Sequence, residues 1–242
     1  MTKSGATYRL TEQRTQIPPL DDYNRWADFW RCTVGVNVIP ADTKNKTPAV
    51  NWGQYQDKPI PTELHDRWKS QHSFYNGMAV ILGSVWHRQD RLGYYLIGVD
   101  ADNARAIEEL CTRNGKTITL DRLANITMVE QHGDNPNRAH FYFYSPRPLV
   151  RKSSDTSKSL DQKIMANEVP AIEVKGRDGQ DILFCTPSIH KNGSRYVVIG
   201  IPEPAMLNAT QADELENPKF LSLVQLPVAY DKKAKCPNIM KF

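Results

Sequence analysis

Four short runs carry the residues best suited to chemistry. In Gly98-Val99-Asp100-Ala101-Asp102-Asn103, a hydrophobic stretch beginning at Tyr94 leads into two carboxylates two positions apart. Alternation along a strand puts both on one face. Adjacent negative charges repel, and a divalent cation such as Mg²⁺ or Mn²⁺, which favours hard carboxylate oxygens, relieves that repulsion. The same residue types also suit a plain turn at a strand end. The second run, Arg138-Ala139-His140, opens Phe141-Tyr142-Phe143-Tyr144. His140, Tyr142 and Tyr144 share one face of this strand, and Phe141 and Phe143 the other, core-directed face. A histidine there is structural unless it faces the carboxylates.

The third run is Ala171-Ile172-Glu173-Val174-Lys175-Gly176. Ile172 and Val174 point inward, while Glu173 and Lys175 point outward together. They form either a third carboxylate and an ammonium for metal and phosphate, or an ordinary solvated charge pair. The fourth is Thr186-Pro187-Ser188-Ile189-His190-Lys191-Asn192-Gly193-Ser194-Arg195-Tyr196. Hydroxyl, imidazole, ammonium and exposed amides make a phosphate cradle there. A plain hairpin turning at Asn192-Gly193 is the competing reading.

The elements around these runs follow from periodicity. Asp21 caps a helix to about Thr33 whose apolar stripe is Tyr23, Trp26, Ala27 and Trp30, with Gly35 as terminator. The Trp26 and Trp30 pair reads as core. Strands are expected at Val36–Ile39, Met78–Leu82, Tyr94–Val99, Thr127–Gln131, His140–Tyr144, Ala171–Lys175, Ile182–Thr186 and Arg195–Ile199. A short helix follows Pro61-Thr62, and another is capped by Asn103. Residues 151–168 read as an exposed loop, and Thr210 and Asp213 as a capping box. Strands dominate residues 78–200 and several are joined by short turns, so the fold class is α+β, a mixed sheet with partly antiparallel pairing covered by helices.

Taken together in order, these runs resemble the primase-polymerase (prim-pol) domain of the archaeo-eukaryotic primase superfamily. That family carries a hydrophobic strand into Asp-x-Asp or Asp-x-Glu, a histidine opening a strand, a third acid in a strand, and a Pro-Ser-x-His turn. The matching residues are Asp100 and Asp102, His140, Glu173, and Pro187-Ser188-Ile189-His190. Val38-Ile39-Pro40, Lys46-Thr47-Pro48, Trp52 and the Gly77–Gly83 segment match its N-terminal part. Arg138 stands where relatives have a small residue, and Glu173 where they usually have Asp.

The resemblance covers about residues 30–200 and implies a primase-type catalytic core: an RRM-like mixed sheet with an N-terminal α/β nucleotide-binding part. Residues 1–20, polar and ending in Pro18-Pro19, read as a flexible arm, and 203–242 as a helical and basic tail or a linker to a missing domain, which leaves the catalytic domain at 21–202. The implied activity is template-dependent nucleotidyl transfer, making primers and extending DNA on a single-stranded DNA template from nucleoside triphosphates. Two divalent ions, Mg²⁺ or Mn²⁺, would sit on Asp100, Asp102 and Glu173. His140 would contact the nucleotide phosphates. Lys175, Ser188 and His190, with Arg138 and Lys46, would bind the triphosphate or sugar. Template contacts are expected from Arg147, Arg151, Lys152, Lys158 and Lys163. A helicase or C-terminal helical domain is an expected partner, and a monomer the expected state. A metal-dependent nuclease and a non-catalytic single-strand-binding initiation module are the rival readings. The Pro-Ser-x-His turn and Lys175 speak against the first, and three clustered carboxylates, which repel DNA, against the second.

Composition sets bounds on this. The chain has 242 residues, with 31 basic and 27 acidic ones giving a net charge of +4, which permits a nucleic-acid partner without requiring one. The four cysteines are far apart with no Cys-x-x-Cys pair, so no zinc is expected and a reducing, cytoplasmic setting is. No eighteen-residue apolar run predicts a membrane span.

Overall fold

The computed structural model describes residues 16–113, 116–149, 152–153, 170–176 and 181–216. Helix α1 (Tyr23–Asp28) starts at Asp22, whose side chain accepts from the Arg25 amide, and continues as wider π-helical turns over Phe29–Val34. Gly35, at φ 92°, closes it in the left-handed conformation that glycine adopts without strain. Trp26 and Trp30 are fully buried, as their spacing predicts.

Two sheets follow. The smaller contains β1 (Val38–Asp42), β2 (Thr47–Pro48), β3 (Met78–Ile81) and, late in the chain, β12 (Ile182–Cys185), in the order β12-β3-β1-β2. The larger contains β4 (Gly83–Ser84), β5 (Tyr95–Ala101), β8 (Val129–His132), β9 (Asn135–Ser145), β10 (Lys152–Ser153), β11 (Ile172–Lys175), β13 (Tyr196–Ile199) and β14 (Ala205–Met206). Its path is β10-β11-β5-β9-β8-β13, with β4 on β5 and β14 on β9. Every pairing is antiparallel except β14 with β9. A short hairpin, β6 (Thr112–Arg113) with β7 (Lys116–Thr117), stands apart.

The α+β class is as expected, but one sheet over residues 78–200 is not what forms. β3 and β12 leave it for the smaller sheet. Both are continuously apolar, Met-Ala-Val-Ile and Ile-Leu-Phe-Cys, so their sequences suit any buried sheet and do not specify which. β11 and β12, neighbours in sequence, therefore belong to different sheets.

The larger sheet is buried on both faces. Ile97, Val99, Ala101, Phe141, Phe143, Ile172 and Val174 turn to one core. α2 (Thr62–Ser70) lies elsewhere, on the N-terminal side. The helices covering this core are α3 (Ala104–Cys111), α4 (Leu120–Ala124) and α5 (Ala209–Glu216). Asn103 caps α3, as expected, by accepting from the Ala106 amide. The capping box of α5 is Asn208 with Gln211, not Thr210 with Asp213: each side chain bonds the other's backbone N–H. Ala205, Leu207, Ala212 and Leu215, read from sequence as the start of the C-terminal segment, pack into this core.

The opposite face contributes Leu96, Tyr142 and Tyr144 to the other core, formed with the smaller sheet and the N-terminal helices. The sequence reading thus underestimates the burial of Tyr142 and Tyr144. The two sheets meet at Gly98: a Cβ there would lie 2.4 Å from Cδ1 of Leu183 on β12. Beyond Gly98 this face changes from apolar to charged.

Candidate active site

Strand register assembles the charged end. Glu173 on β11 lies opposite Asp100 on β5, Asp100 opposite His140 on β9, and His140 opposite Glu130 on β8. Because side chains alternate, these four form one row across one face. Asp102, just past the end of β5, and Arg138, two residues before His140 on β9, flank one end of the row, and Lys175 follows Glu173 by two residues on β11. His140 therefore faces the carboxylates.

Distances within the row are short. Lys175 Nζ is 3.3 Å from Asp100 Oδ2 and 3.1 Å from Glu173 Oε2. His140 Nε2 is 3.6 Å from Asp100 Oδ1, and its Nδ1 is 3.3 Å from Glu130 Oε2. Arg138 Nε donates to Asp102 Oδ1 at 2.9 Å, and its Nη2 reaches the same oxygen. Burial alone would raise the Asp100 carboxyl, but His140 and Lys175 hold it below the usual range. Burial would likewise lower the Lys175 ammonium, yet Asp100 and Glu173 keep it above its ordinary value. The Arg138 guanidinium is held up against burial by Asp102.

A cavity of about 160 Å³ opens on this row. Asp100, Asp102, His140, Lys175, Arg138 and Lys46 supply its polar lining, and Ile182, Leu183 and Phe184 of β12 an apolar wall. Lys46 sits in the β1–β2 turn at φ 54°, and burial together with Lys191 and Arg138 lowers its ammonium. A pocket with three cations around paired carboxylates suits an anionic ligand that brings its own oxygens to a metal.

The remaining assigned residues lie elsewhere. Glu173 does not line the cavity; its carboxylate holds Lys175. The Ser188 hydroxyl is fully buried, donating to the Met78 carbonyl at 3.1 Å and accepting from the Met78 amide at 2.8 Å. It fastens its turn to β3 and is not directed at the cavity. His190 is buried with Nδ1 2.9 Å from Asn192 Oδ1, and its Nε2 has no hydrogen-bond partner. Asn192 and Gly193 do form the expected turn, with the Gly193 amide donating to the His190 carbonyl at 2.8 Å. Arg147 is engaged with Asp213 and Glu216 on α5. Arg151, Lys158 and Lys163, and nearly all of the 151–168 loop, lie outside the described residues; Lys152 falls in β10.

Three site residues escaped the sequence reading. Tyr196 stacks on His140 at 5.3 Å, with ring planes 27° apart. His132 sits 5.4 Å from His140 and 5.3 Å from His190, ring to ring, and burial with His140 and Arg138 lowers it to about 3. Glu130 is completely buried. Its signal was present, since Glu130 and His132 alternate with Val129 and Gln131. What the sequence does not carry is the β8–β9 register that sets Glu130 opposite His140.

Among the described residues no three His, Cys, Asp or Glu side chains converge as a metal cage. Asp100 and Asp102 nonetheless offer hard donors beside an open cavity. One or two carboxylates completed by water and substrate phosphate is the ordinary Mg²⁺ arrangement, so the donor set fits. Comparison with curated proteins finds no match. The family described as bifunctional DNA primase/polymerase, N-terminal (Prim-Pol), matches residues 30–214. With residues 30–214, most of the chain, matched, the chain belongs to the Prim-Pol family of DNA primase/polymerase-type nucleotidyltransferases.

Proposed function

We propose that this chain is a template-dependent nucleotidyltransferase that makes primers and extends DNA on single-stranded DNA, with the larger sheet as an RRM-like catalytic platform. The observation that carries this reading is the row Glu173-Asp100-His140-Glu130, flanked by Lys175 and Arg138 and opening on a cavity. In the reaction a 3′-hydroxyl oxygen bonds the α-phosphorus of a nucleoside triphosphate while the bond to pyrophosphate breaks. Asp100 and Asp102, which line the cavity, would hold Mg²⁺ or Mn²⁺, and Glu173, outside the lining, would join them as third carboxylate by releasing Lys175. When bound, these ions neutralise charge on the entering and leaving oxygens. Lys175, Arg138 and Lys46 bind triphosphate oxygens, each giving up carboxylate contacts or burial for phosphate. His140 meets the phosphates from the sheet floor. Ser188 and His190 serve from behind, by fixing the turn that closes the site.

The test is synthesis on single-stranded DNA with labelled nucleotides and Mg²⁺ or Mn²⁺, with and without a primer. New short chains in the unprimed tube support a self-sufficient primase. Extension only in the primed tube supports the polymerase half alone. A shortened template without pyrophosphate release would replace this reading with a nuclease. Strand binding without either reaction would replace it with a binding module.

A further inference from the structure

Three turns come together where Lys46 borders the cavity. The hydroxyl of buried Thr43 lies 2.5 Å from the Ile189 carbonyl and 3.3 Å from the Asn76 carbonyl. One side chain thus ties the β1–β2 turn to the 189–193 turn and to the Ser73–Asn76 turn that carries Tyr75. A second tie runs through Arg195. Its Nη1 donates to the Pro187 carbonyl and the Tyr23 hydroxyl, both at 3.1 Å, and the Tyr23 ring packs 5.3 Å from that of Tyr75.

The surface these turns share mixes bare apolar groups with cations. Tyr75 is 49% exposed and Ile189 39%, two of four large hydrophobic side chains so placed among the described residues. Tyr23 and His72, the latter at 4.7 Å, brace the Tyr75 ring while about half of it stays open. Lys44, Lys46 and Lys191 are exposed on the same turns, and none forms a salt bridge among the described residues. The nearby carboxylates are turned to amides: Asp42 accepts from the Asn45 amide at 3.1 Å and from Asn45 Nδ2 at 2.7 Å, and Asp134 accepts from Asn192 Nδ2. Lys46 and His72, both at φ 54°, are also the two non-glycine residues with left-handed backbone among the described ones. That conformation is unfavourable for a residue with a Cβ and persists where the surroundings impose it, as they do at ligand clamps.

We propose that this surface is the track of the uncopied template, a single-stranded DNA whose phosphates meet Lys44 and Lys191 and whose bases stack on Tyr75 and lie against Ile189. The direction follows from the reaction. In-line displacement puts the leaving pyrophosphate opposite the attacking 3′-hydroxyl. The end of the cavity where Lys46 takes triphosphate oxygens therefore faces away from the primer terminus. Template ahead of that terminus has no complement, and its bare bases find in an aromatic ring a partner that favours none of them. Arg147, expected on the template, is instead held by Asp213 and Glu216. The inference rests on the nucleotidyl-transfer reading for its direction, though not for strand binding.

Two measurements test it. Fluorescence anisotropy with a labelled oligothymidylate of about fifteen nucleotides reads strand affinity across a salt series. Tyr75→Ala should weaken binding about tenfold at an unchanged salt slope, and Tyr75→Phe should bind as wild type does. Lys44→Gln combined with Lys191→Gln should flatten the slope of log affinity against log salt by about 0.7 for each lysine removed. Incorporation on primed templates then varies the 5′ overhang. Tyr75→Ala should match wild type where the template ends one nucleotide past the primer, and should need about ten times more template where the overhang is long. Wild-type affinity in Tyr75→Ala overturns the proposal, and so does a Tyr75→Phe variant as weak as Tyr75→Ala, because stacking needs only the ring. An unchanged salt slope in the lysine pair overturns it even if Tyr75→Ala fails to fold. Equal losses on short and long overhangs place the defect in the site and overturn it too. Unchanged DNA affinity with altered self-association in sedimentation would make the patch a protein interface instead. Wild type that binds the oligonucleotide through these residues yet incorporates nothing would defeat the functional reading and leave the strand surface standing.

Discussion

The β5–β9 pair ends in a charged cluster at each end, and the two are built to opposite purposes. At the Tyr144 end, Arg88 donates to the Thr33 carbonyl, the Tyr144 hydroxyl and Glu203, and also pairs with Asp90. Arg91 joins Asp90 and Glu203. Two cations meet two anions over a buried ring, and Tyr144 itself donates to the Val34 carbonyl at 2.8 Å. At the His140 end, Asp100, Asp102, Glu173 and Glu130 crowd one sheet face, and Lys175 must serve two of them at once. That face borders a cavity instead of a packed core. Balanced pairs over apolar packing make a clasp, whereas surplus like charge beside open space makes a site that gains by taking a ligand.

The largest effect separating the ends should come from Asp100→Ala or Asp102→Ala. Nucleotide incorporation should fall by about 10³-fold while circular dichroism shows an intact fold. Near-normal synthesis by either variant would remove the carboxylates from the chemistry. Next comes Lys175→Met, which leaves Asp100 and Glu173 opposed without their ammonium. Stability should drop by about 3 kcal/mol, and Mg²⁺ or Mn²⁺ should raise the variant's Tm more than wild type's. A Tm indifferent to divalent ions in both proteins would count against metal at this end. Arg88→Ala should do the reverse, costing about 1–3 kcal/mol of stability with nucleotide KM unchanged. A kinetic defect there would show that the two ends are coupled.

The smallest expected effect is a pH dependence shared by both ends. His132, near the site, is lowered from 6.5 to about 3, first by burial and then by His140 and Arg138. His87, adjoining Arg88, is lowered from 6.5 to about 4, by burial and then by Arg31. Below 6.5 the unfolded chain takes up protons that the folded one refuses, so stability falls as pH drops through this window. Each histidine contributes about 1.4 kcal/mol per pH unit there. Thermal melts from pH 7 to pH 5 should fall steadily, and His132→Gln or His87→Gln should each flatten the slope. A flat wild-type profile would mean that both rings accept protons in the folded state.

Strand alternation made much of this site legible in advance. It put Glu173 with Lys175, which lie within one strand, and Asp100 with Asp102, which stands one residue past the end of β5. Facing His140 toward Asp100 needed the β5–β9 register, which local sequence does not encode. Glu130 and His132 needed the β8–β9 register in the same way, and Ser188 carries a different ambiguity: a serine that fastens backbone reads like one that binds phosphate. The departure of β3 and β12 to a second sheet was illegible because a strand buried on both faces has no polar side to orient it. Arg138 reads as a departure from relatives and as a candidate for the triphosphate or sugar, while its pairing with Asp102 needed the register that sets the two together.

Gly98 lies between the two ends of β5, where Leu183 of the smaller sheet fills the place of a side chain. The width of the cavity is thus gauged by a single hydrogen atom. Even a methyl group at this position would act as a shim between the sheets, moving the Ile182–Phe184 wall away from Asp100 and Lys175. Variation at position 98 is a natural dial for how large a guest the cleft admits, set without touching any group that does the chemistry.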